Sequence, residues 1–175
     1  REITKEDDQE WKWDNIWSTY VYVLMQKNAD MDAFQKISIE FSIPIIEDAA
    51  HALGAKYKGR FIGSVSPYTI FSLQAIKHIT TVDGGILTVK NQEDYTKGRL
   101  KRRFGLDKTK PRLLNNITEV GYKYHMNDVN ATIGLVQMDY INDTISKYIE
   151  NGRYFDSQLQ NVSGLKLIKY YEGSE

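Results

Sequence analysis

Two short motifs put an acid, a histidine, a serine and a lysine where they can do chemistry together. Ile46-Glu-Asp-Ala-Ala-His51 sets Asp48 at the end of a short apolar run, with His51 three residues further on. Phe71-Ser-Leu-Gln-Ala-Ile-Lys77 places Ser72 five residues ahead of Lys77, and Thr80-Thr-Val-Asp-Gly-Gly85 follows as a hydroxyl-rich turn. A carboxylate beside a pyridine nitrogen favours its cationic form and so raises its pKa. A lysine with apolar neighbours is partly desolvated, which leaves more of the nucleophilic amine. A serine hydroxyl at a strand end can donate a hydrogen bond to a phosphate oxygen. Together these are the groups needed to bind pyridoxal phosphate (PLP) covalently.

Each residue also has an ordinary reading. Asp48 can simply cap the turn that follows it, serine is common in strands, and most of the lysines must be solvated surface charges. His51 is as well read as a satisfied structural histidine as a partner for a ring oxygen. His78 reads as a half-exposed polar residue. The 80–85 turn lacks both the Walker lysine pattern and the dinucleotide glycine spacing. His51, His78 and His125 have no ligand-like spacing and no acid cluster beside them, so no metal site is expected.

These residues need a scaffold, and the pattern supplies one. Asp30 reads as an N-cap, with Met31, Phe34, Ile37 and Phe41 at helical spacing after it. Pro44 stops that helix, because proline disfavours helical geometry in the residue before it. Pro44–Asp48 is then a short apolar strand, and helix followed by buried strand suggests an α/β unit with a parallel sheet. Ligands bind at the carboxyl ends of such strands, which is where Asp48 sits. Lys58–Gly63 reads as a turn between short extended pieces, Tyr68–Leu73 as a strand, and Ile86–Val89 as the next. Asn91 caps a helix running to about Phe104. Its first turn is acidic and its last turn basic, matching the helix dipole, with Gly105 as a C′ stop. Residues 106–120 form a polar loop. Asn127 caps the longest helix, with Val129, Ile133, Val136, Tyr140, Ile141, Ile145 and Tyr148 on one face, ending at Asn151-Gly152. Strands are also expected at Tyr20–Met25 and Leu165–Tyr170.

With 175 residues the chain suffices for one domain with a real core. Its 23 Lys+Arg balance 23 Asp+Glu, so no whole-molecule field draws in nucleic acid or membrane. There is no cysteine, which excludes disulfides and thiolate metal sites. No apolar run approaches membrane-spanning length. The start, Arg-Glu-Ile-Thr-Lys-Glu-Asp-Asp, is too acidic for a signal peptide, so a cytoplasmic protein is expected. One local exception to neutrality is residues 97–112, with Lys97, Arg99, Lys101, Arg102, Arg103, Lys108, Lys110 and Arg112. Nucleic acid would use such a patch. However, aromatics are not interleaved beyond Phe104, so a solvated face, or contact with an anionic substrate or a partner subunit, is the better reading.

The order of the motifs adds to their chemistry. Asp30-Met-Asp-Ala-Phe, Ile46–Gly54, Lys58–Ser64, Phe71–Lys77 with Thr80–Gly85, and Gly121-Tyr-Lys-Tyr-His-Met-Asn-Asp-Val-Asn-Ala-Thr-Ile-Gly134 together resemble the DegT/StrS sugar aminotransferases across about residues 30–150. The resemblance implies an α/β fold of the aspartate-aminotransferase-like (PLP-dependent transferase) type: a large-domain sheet with flanking helices, incomplete at both ends. It implies residues 1–29 as an atypical N-terminal segment, 30–152 as the PLP-binding core, and 153–175 as the start of a C-terminal small domain. It further implies a homodimer with active sites at the interface. Lys77 would be the Schiff-base lysine and proton shuttle, Asp48 the partner of the pyridine nitrogen, His51 a neighbour of the ring hydroxyl, and Ser72 a phosphate contact. Lys123 stands where the family often has an Asn that reaches the partner's cofactor phosphate, and can serve there as a point charge. The reaction implied is transfer of an amino group, with glutamate as donor, to a keto group on a nucleotide-linked deoxysugar. Relatives that are dehydratases carry His at the lysine position, so Lys77 favours transamination. The alternatives are a non-catalytic remnant that folds or dimerises, and a polyanion-binding module using residues 97–112.

Overall fold

The structure is a computed structural model and describes residues 30–167 and 173. The strand expected at Tyr20–Met25 lies outside them. Of the strand expected at 165–170, residues 165–167 are described and form none.

The first helix, α1 (Met31–Phe41), starts where expected, with the Asp30 side chain accepting from the Ala33 N–H at 3.0 Å. Such a cap contributes about 1 kcal/mol. The helix ends at Phe41, three residues ahead of Pro44: Ser42 turns left-handed (φ 52) and the Ile43 N–H reaches back to the Ser38 carbonyl. Pro44 bars helical geometry at Ile43, so the chain leaves the helix just before it.

β1 (Ile46–Asp48) pairs in parallel with β4 (Tyr68–Ser72), with Asp48 opposite Ile70. The connection between them carries a small hairpin, β2 (Lys56–Tyr57) and β3 (Arg60–Phe61), in place of a crossover helix. β5 (Gly85–Val89) then pairs with β4 antiparallel, Ser72 opposite Gly85. The sheet β1-β4-β5 is therefore mixed, where a parallel sheet was expected. A parallel return needs a crossover, usually a helix, and residues 73–84 form no helix.

Met31, Ala49, Ala52, Tyr57, Ile62 and Phe71 form the buried cluster under this sheet, with Phe34 and Leu53 packed against it. Burying side chains such as Ile62 and Phe71 stabilises by roughly 1.5–3 kcal/mol each. Gly54, at φ +85, closes the turn after β1. A Cβ there would collide with Ile145 Cδ1, so the glycine lets a later helix seat against this turn.

α2 (Gln92–Lys101) is capped by Asn91, whose side chain accepts from the Asp94 N–H. It ends earlier than the expected Phe104. Gly105 (φ +76) still closes it, its N–H donating to the Leu100 carbonyl. Tyr68 Oη donates to Asp94 Oδ2 at 2.7 Å, tying the helix to β4. That bond holds the Asp94 carboxyl below its ordinary range and raises the Tyr68 phenol.

The single long helix expected after Asn127 is two. α3 (Asp128–Met138) and α4 (Ile141–Leu159) break at Asp139-Tyr140, and α4 runs past Asn151-Gly152 to Leu159. The expected apolar face packs inward only in part, through the half-buried Ile133, Ile141 and Ile145. Val129, Val136, Tyr140 and Tyr148 are all more than half exposed, while Gly134 is buried.

Candidate active site

Strand alternation sorts the two adjacent acids of β1. Side chains along a strand point alternately to opposite faces. Ile45, Glu47 and Ala49 are buried, and Glu47 Oε2 accepts from the buried Thr69 hydroxyl at 3.1 Å. Ile46 and Asp48 face the other way and are half-buried. Ile70 lies opposite Asp48, and Ser72, two residues on, shares its face. Because β1 and β4 run in parallel, Asp48 and Ser72 both stand at the carboxyl edge of the sheet, on its open side.

Asp48 does cap the turn that follows it, its Oδ1 accepting from the Ala50 N–H at 3.0 Å. Among the described residues no donor reaches Oδ2, which leaves that oxygen for a cationic partner. Ser72 Oγ accepts from the Gln74 N–H at 3.3 Å, and its own proton stays free to donate.

Residues 73–84 carry Lys77 between the antiparallel strands. Leu73 and Ile79 are buried and anchor the segment. Gln74 shapes the turn: its carbonyl accepts from the Lys77 N–H at 3.0 Å and its side-chain oxygen from the Ile76 N–H at 3.1 Å. The turn closes through Thr81 N–H to the Leu73 carbonyl and Leu73 N–H to the Gly84 carbonyl, both at 2.9 Å. Val82 sits at φ 70, a conformation that costs a β-branched residue about 1–3 kcal/mol. The Thr80 hydroxyl accepts from its N–H there.

The decisive contact is between residues far apart in sequence. Lys77 Nζ lies 2.6 Å from His51 Nε2. One of the two nitrogens donates to the other, in a direction set by the imidazole tautomer. Next to Lys77, His78 turns the other way and packs edge-on against Tyr148 of α4, ring centroids 4.7 Å apart. Burial, and then electrostatic interaction with His51 and Lys77, push the His78 imidazole below its ordinary pKa.

α3 clamps this turn from behind, through residues that the sequence pattern did not single out. The Gln137 side chain accepts from the Thr80 N–H at 3.0 Å and donates to the Thr80 carbonyl at 2.6 Å. Asn130 Nδ2 donates to the Asp83 carbonyl at 3.4 Å. Gly134 lies between them, and a Cβ there would stand 2.8 Å from Thr81 Cγ2. Residues 130, 134 and 137 share a helical face. Its small and polar character gave no hydrophobic signal.

The structure thus brings Lys77 and His51 into contact and sets Asp48 and Ser72 on the same open face. Lys123 lies on a different segment. It pairs with Arg103 in an isolated antiparallel bridge, and its neighbours Tyr122 and Tyr124 donate backbone bonds to Lys101 and Arg102. Among the described residues no His/Cys/Asp/Glu cluster suits a metal ion, and no helix is long and apolar enough to cross a membrane.

A sequence model of the DegT/DnrJ/EryC1/StrS aminotransferase family matches residues 23–175. The chain belongs to that family. It is 38% identical over 143 residues to the UDP-4-amino-4-deoxy-L-arabinose–oxoglutarate aminotransferase of Shewanella sediminis, covering 78% of this chain and 37% of that one. The crystal structure of AtS13 from Actinomadura melliaura superposes with a TM-score of 0.80 at 35% identity, over 85% of this chain and 42% of the other. The PLP form of a putative sugar aminotransferase, Spr1654 of Streptococcus pneumoniae, superposes at 0.72 with 27% identity, over the same shares. The chain spans about two-fifths of the length of the relatives it matches. The described residues have the α/β, aspartate-aminotransferase-like fold of these sugar aminotransferases.

Proposed function

We propose that this chain carries one side of a PLP site used to transfer an amino group to the keto carbon of a nucleotide-linked deoxysugar. The observation that carries the reading is the Lys77–His51 contact at 2.6 Å, set beside Asp48 and Ser72 on the open carboxyl edge of the sheet. The residues fit the cofactor. Asp48 has an unengaged oxygen for the ring nitrogen, His51 lies close enough to Lys77 to meet the ring hydroxyl, and Ser72 keeps a proton for the phosphate. When bound, the cofactor supplies an electron sink for a carbanion at the substrate's amine-bearing carbon.

The chain's own residues do the rest. The Asp48 carboxylate, oriented by the Ala50 N–H, favours a protonated ring nitrogen. Lys77 Nζ is the attachment point and the group that takes and returns the substrate proton. The contact with His51 Nε2 orients Lys77 Nζ and gives its proton a neighbour. The Gln137 clamp on Thr80 fixes the turn from which Lys77 reaches into the site. Residues 30–152 carry these groups, with residues 153–175 proposed to begin a smaller domain.

Two further elements belong to this reading. Glutamate is proposed as amino donor, supported by the oxoglutarate in the name of the Shewanella relative. A homodimer is proposed, with Lys123 reaching the cofactor phosphate of the other subunit. This is supported by its exposed setting beside the stacked Tyr122 and Tyr124. The reading places the protein in the cytoplasm, with the biosynthetic substrates it would use.

The test is to add excess PLP and then borohydride. The protein should turn yellow, and reduction should fix one adduct on the Lys77 peptide, absent in Lys77→Ala. A wild-type protein that stays colourless and unlabelled overturns the proposal and leaves a folded remnant.

A further inference from the structure

His51 and Lys77 sit on two turns that are built separately. His51 stands in the tight turn after β1, which the Ala52 N–H closes on the Ala49 carbonyl at 2.9 Å. Lys77 stands in residues 75–78, where the hydrogen bonds are local: the Ile76 and Lys77 N–H groups both return to Gln74. Gln137 and Asn130 hold only the later part of that loop, at Thr80 and Asp83. Apart from the Lys77–His51 contact, none of these bonds joins one turn to the other.

α4 meets both turns with one face. Ile145 and Tyr148 are three residues apart, so they lie on the same side of the helix. Ile145 fills the space beside Gly54, three residues after His51. Its Cδ1 occupies the place a Cβ would take, and its Cγ1 and Cγ2 lie 3.2 and 3.4 Å from that point. Tyr148 meets His78, the residue next to Lys77, edge-on, with ring centroids 4.7 Å apart and planes at 64°.

Among the described residues no hydrogen bond holds the His78 ring, and its Nδ1 is buried without a partner. Packing against Tyr148 is therefore what fixes it, and aromatic pairs of this geometry contribute beyond the area they bury. The two neighbouring side chains diverge, His78 to α4 and Lys77 to His51. Fixing the one ring limits the backbone torsions from which the other side chain leaves. Burial first, and then His51 and Lys77, depress the His78 imidazole, so the three groups share one electrostatic neighbourhood.

We infer that α4 is the strap that sets the Lys77–His51 contact, and that Tyr148 is a positioning residue for Lys77, acting through His78. The importance of that contact for catalysis rests on the function proposed above; the packing that sets it does not. The competing role for Tyr148 is simple cover of the surface. The ring is 53% exposed, so trimming it removes little buried area and the variant should fold.

The test reads the contact in the whole chain without cofactor. There are only three histidines, so the ring nitrogens of isotope-labelled histidine can be followed by NMR. Lys77→Met identifies the His51 Nε2 signal and shows where it stands once the contact is gone. In Tyr148→Ala that signal should move towards the Lys77→Met position, with the balance of made to broken contact falling roughly twofold to tenfold. Ile145→Ala should move it in the same direction. Tyr148→Phe keeps the ring and should keep the wild-type signal. Tyr154→Ala trims a similarly exposed ring of α4 that packs on Phe155 instead, and should change nothing. A wild-type signal in either Tyr148→Ala or Ile145→Ala overturns the inference. So does an equal shift in Tyr154→Ala, which marks general loosening of the helix, a lost signal in Tyr148→Phe, or a His51 signal that Lys77→Met does not move. No cofactor enters this measurement, so a chain that never takes up PLP would overturn the proposed function and leave this inference standing.

Discussion

Glu47 and Asp48 are neighbours with the same functional group, and they meet opposite fates on the two faces of one sheet. Glu47 is fully buried, with Oε2 bonded to Thr69 and Oε1 shut away from solvent without a partner among the described residues. Asp48 stands on the open face with one oxygen engaged by its own turn and the other left over. On the closed face a hydroxyl meets one oxygen of the acid and solvent reaches neither. The open face is where an acid can meet a ligand. One residue of strand register separates a structural carboxylate from the one proposed to meet the cofactor.

The largest expected effect belongs to the open face. Lys77→Ala should cut transamination at least about 10²-fold, the scale of a positioned acid–base, with melting temperature unchanged. A matching loss of stability would break the contrast by showing Lys77 to be part of the core. Asp48→Asn keeps an oxygen for the Ala50 N–H, so stability should stay within about 0.5 kcal/mol. Losing the charge should weaken PLP retention roughly tenfold to a hundredfold, read by dialysis and absorbance.

The closed face should respond the other way. Glu47→Ala leaves the Thr69 hydroxyl buried without its partner and should cost roughly 1–3 kcal/mol in urea unfolding, with PLP labelling per folded molecule unchanged. Loss of labelling at full stability would reverse the assignment of the two acids. Gln137→Ala sharpens the comparison from outside the sheet. It removes both bonds to Thr80 and should cost roughly 1–2 kcal/mol, with slower labelling of Lys77 because the turn is no longer held.

The smallest effect is a pH dependence at His78. Its folded pKa lies below the ordinary 6.5, first because of burial and then because of His51 and Lys77. The unfolded chain therefore binds the proton more readily than the folded one. Stability contributed by neutral His78 is intact above about 6.5 and declines as pH falls from there towards the depressed folded value. Melting scans should show this acid-side decline reduced in His78→Gln. An identical decline in both proteins would assign it elsewhere.

Much of this arrangement was readable in the chain. Asp30, Asn91 and Asn127 each cap the helix expected of them, because a cap depends only on a side chain and a backbone N–H three residues on. Strand positions around Asp48 and Ser72 were readable from short apolar runs. The antiparallel return of β5 was not, since strand direction depends on how residues 73–84 are spanned. Nor was the break at Asp139-Tyr140, where apolar spacing continues through two separate helices. Gln137 gave no signal, because its partner Thr80 lies 57 residues away.

The sequence alone determined the local devices and the chemical inventory: caps, turns, strand runs and the ordered spacing of Asp48, His51, Ser72 and Lys77. Only the tertiary structure decided which acid faces the open edge, that His51 meets Lys77 across 26 residues, and that one face of α4 packs against both of their turns. The physical reason is range. Caps and periodicity are settled within a few residues, whereas pairing, facing and convergence are settled by contacts that exist only once distant segments have packed.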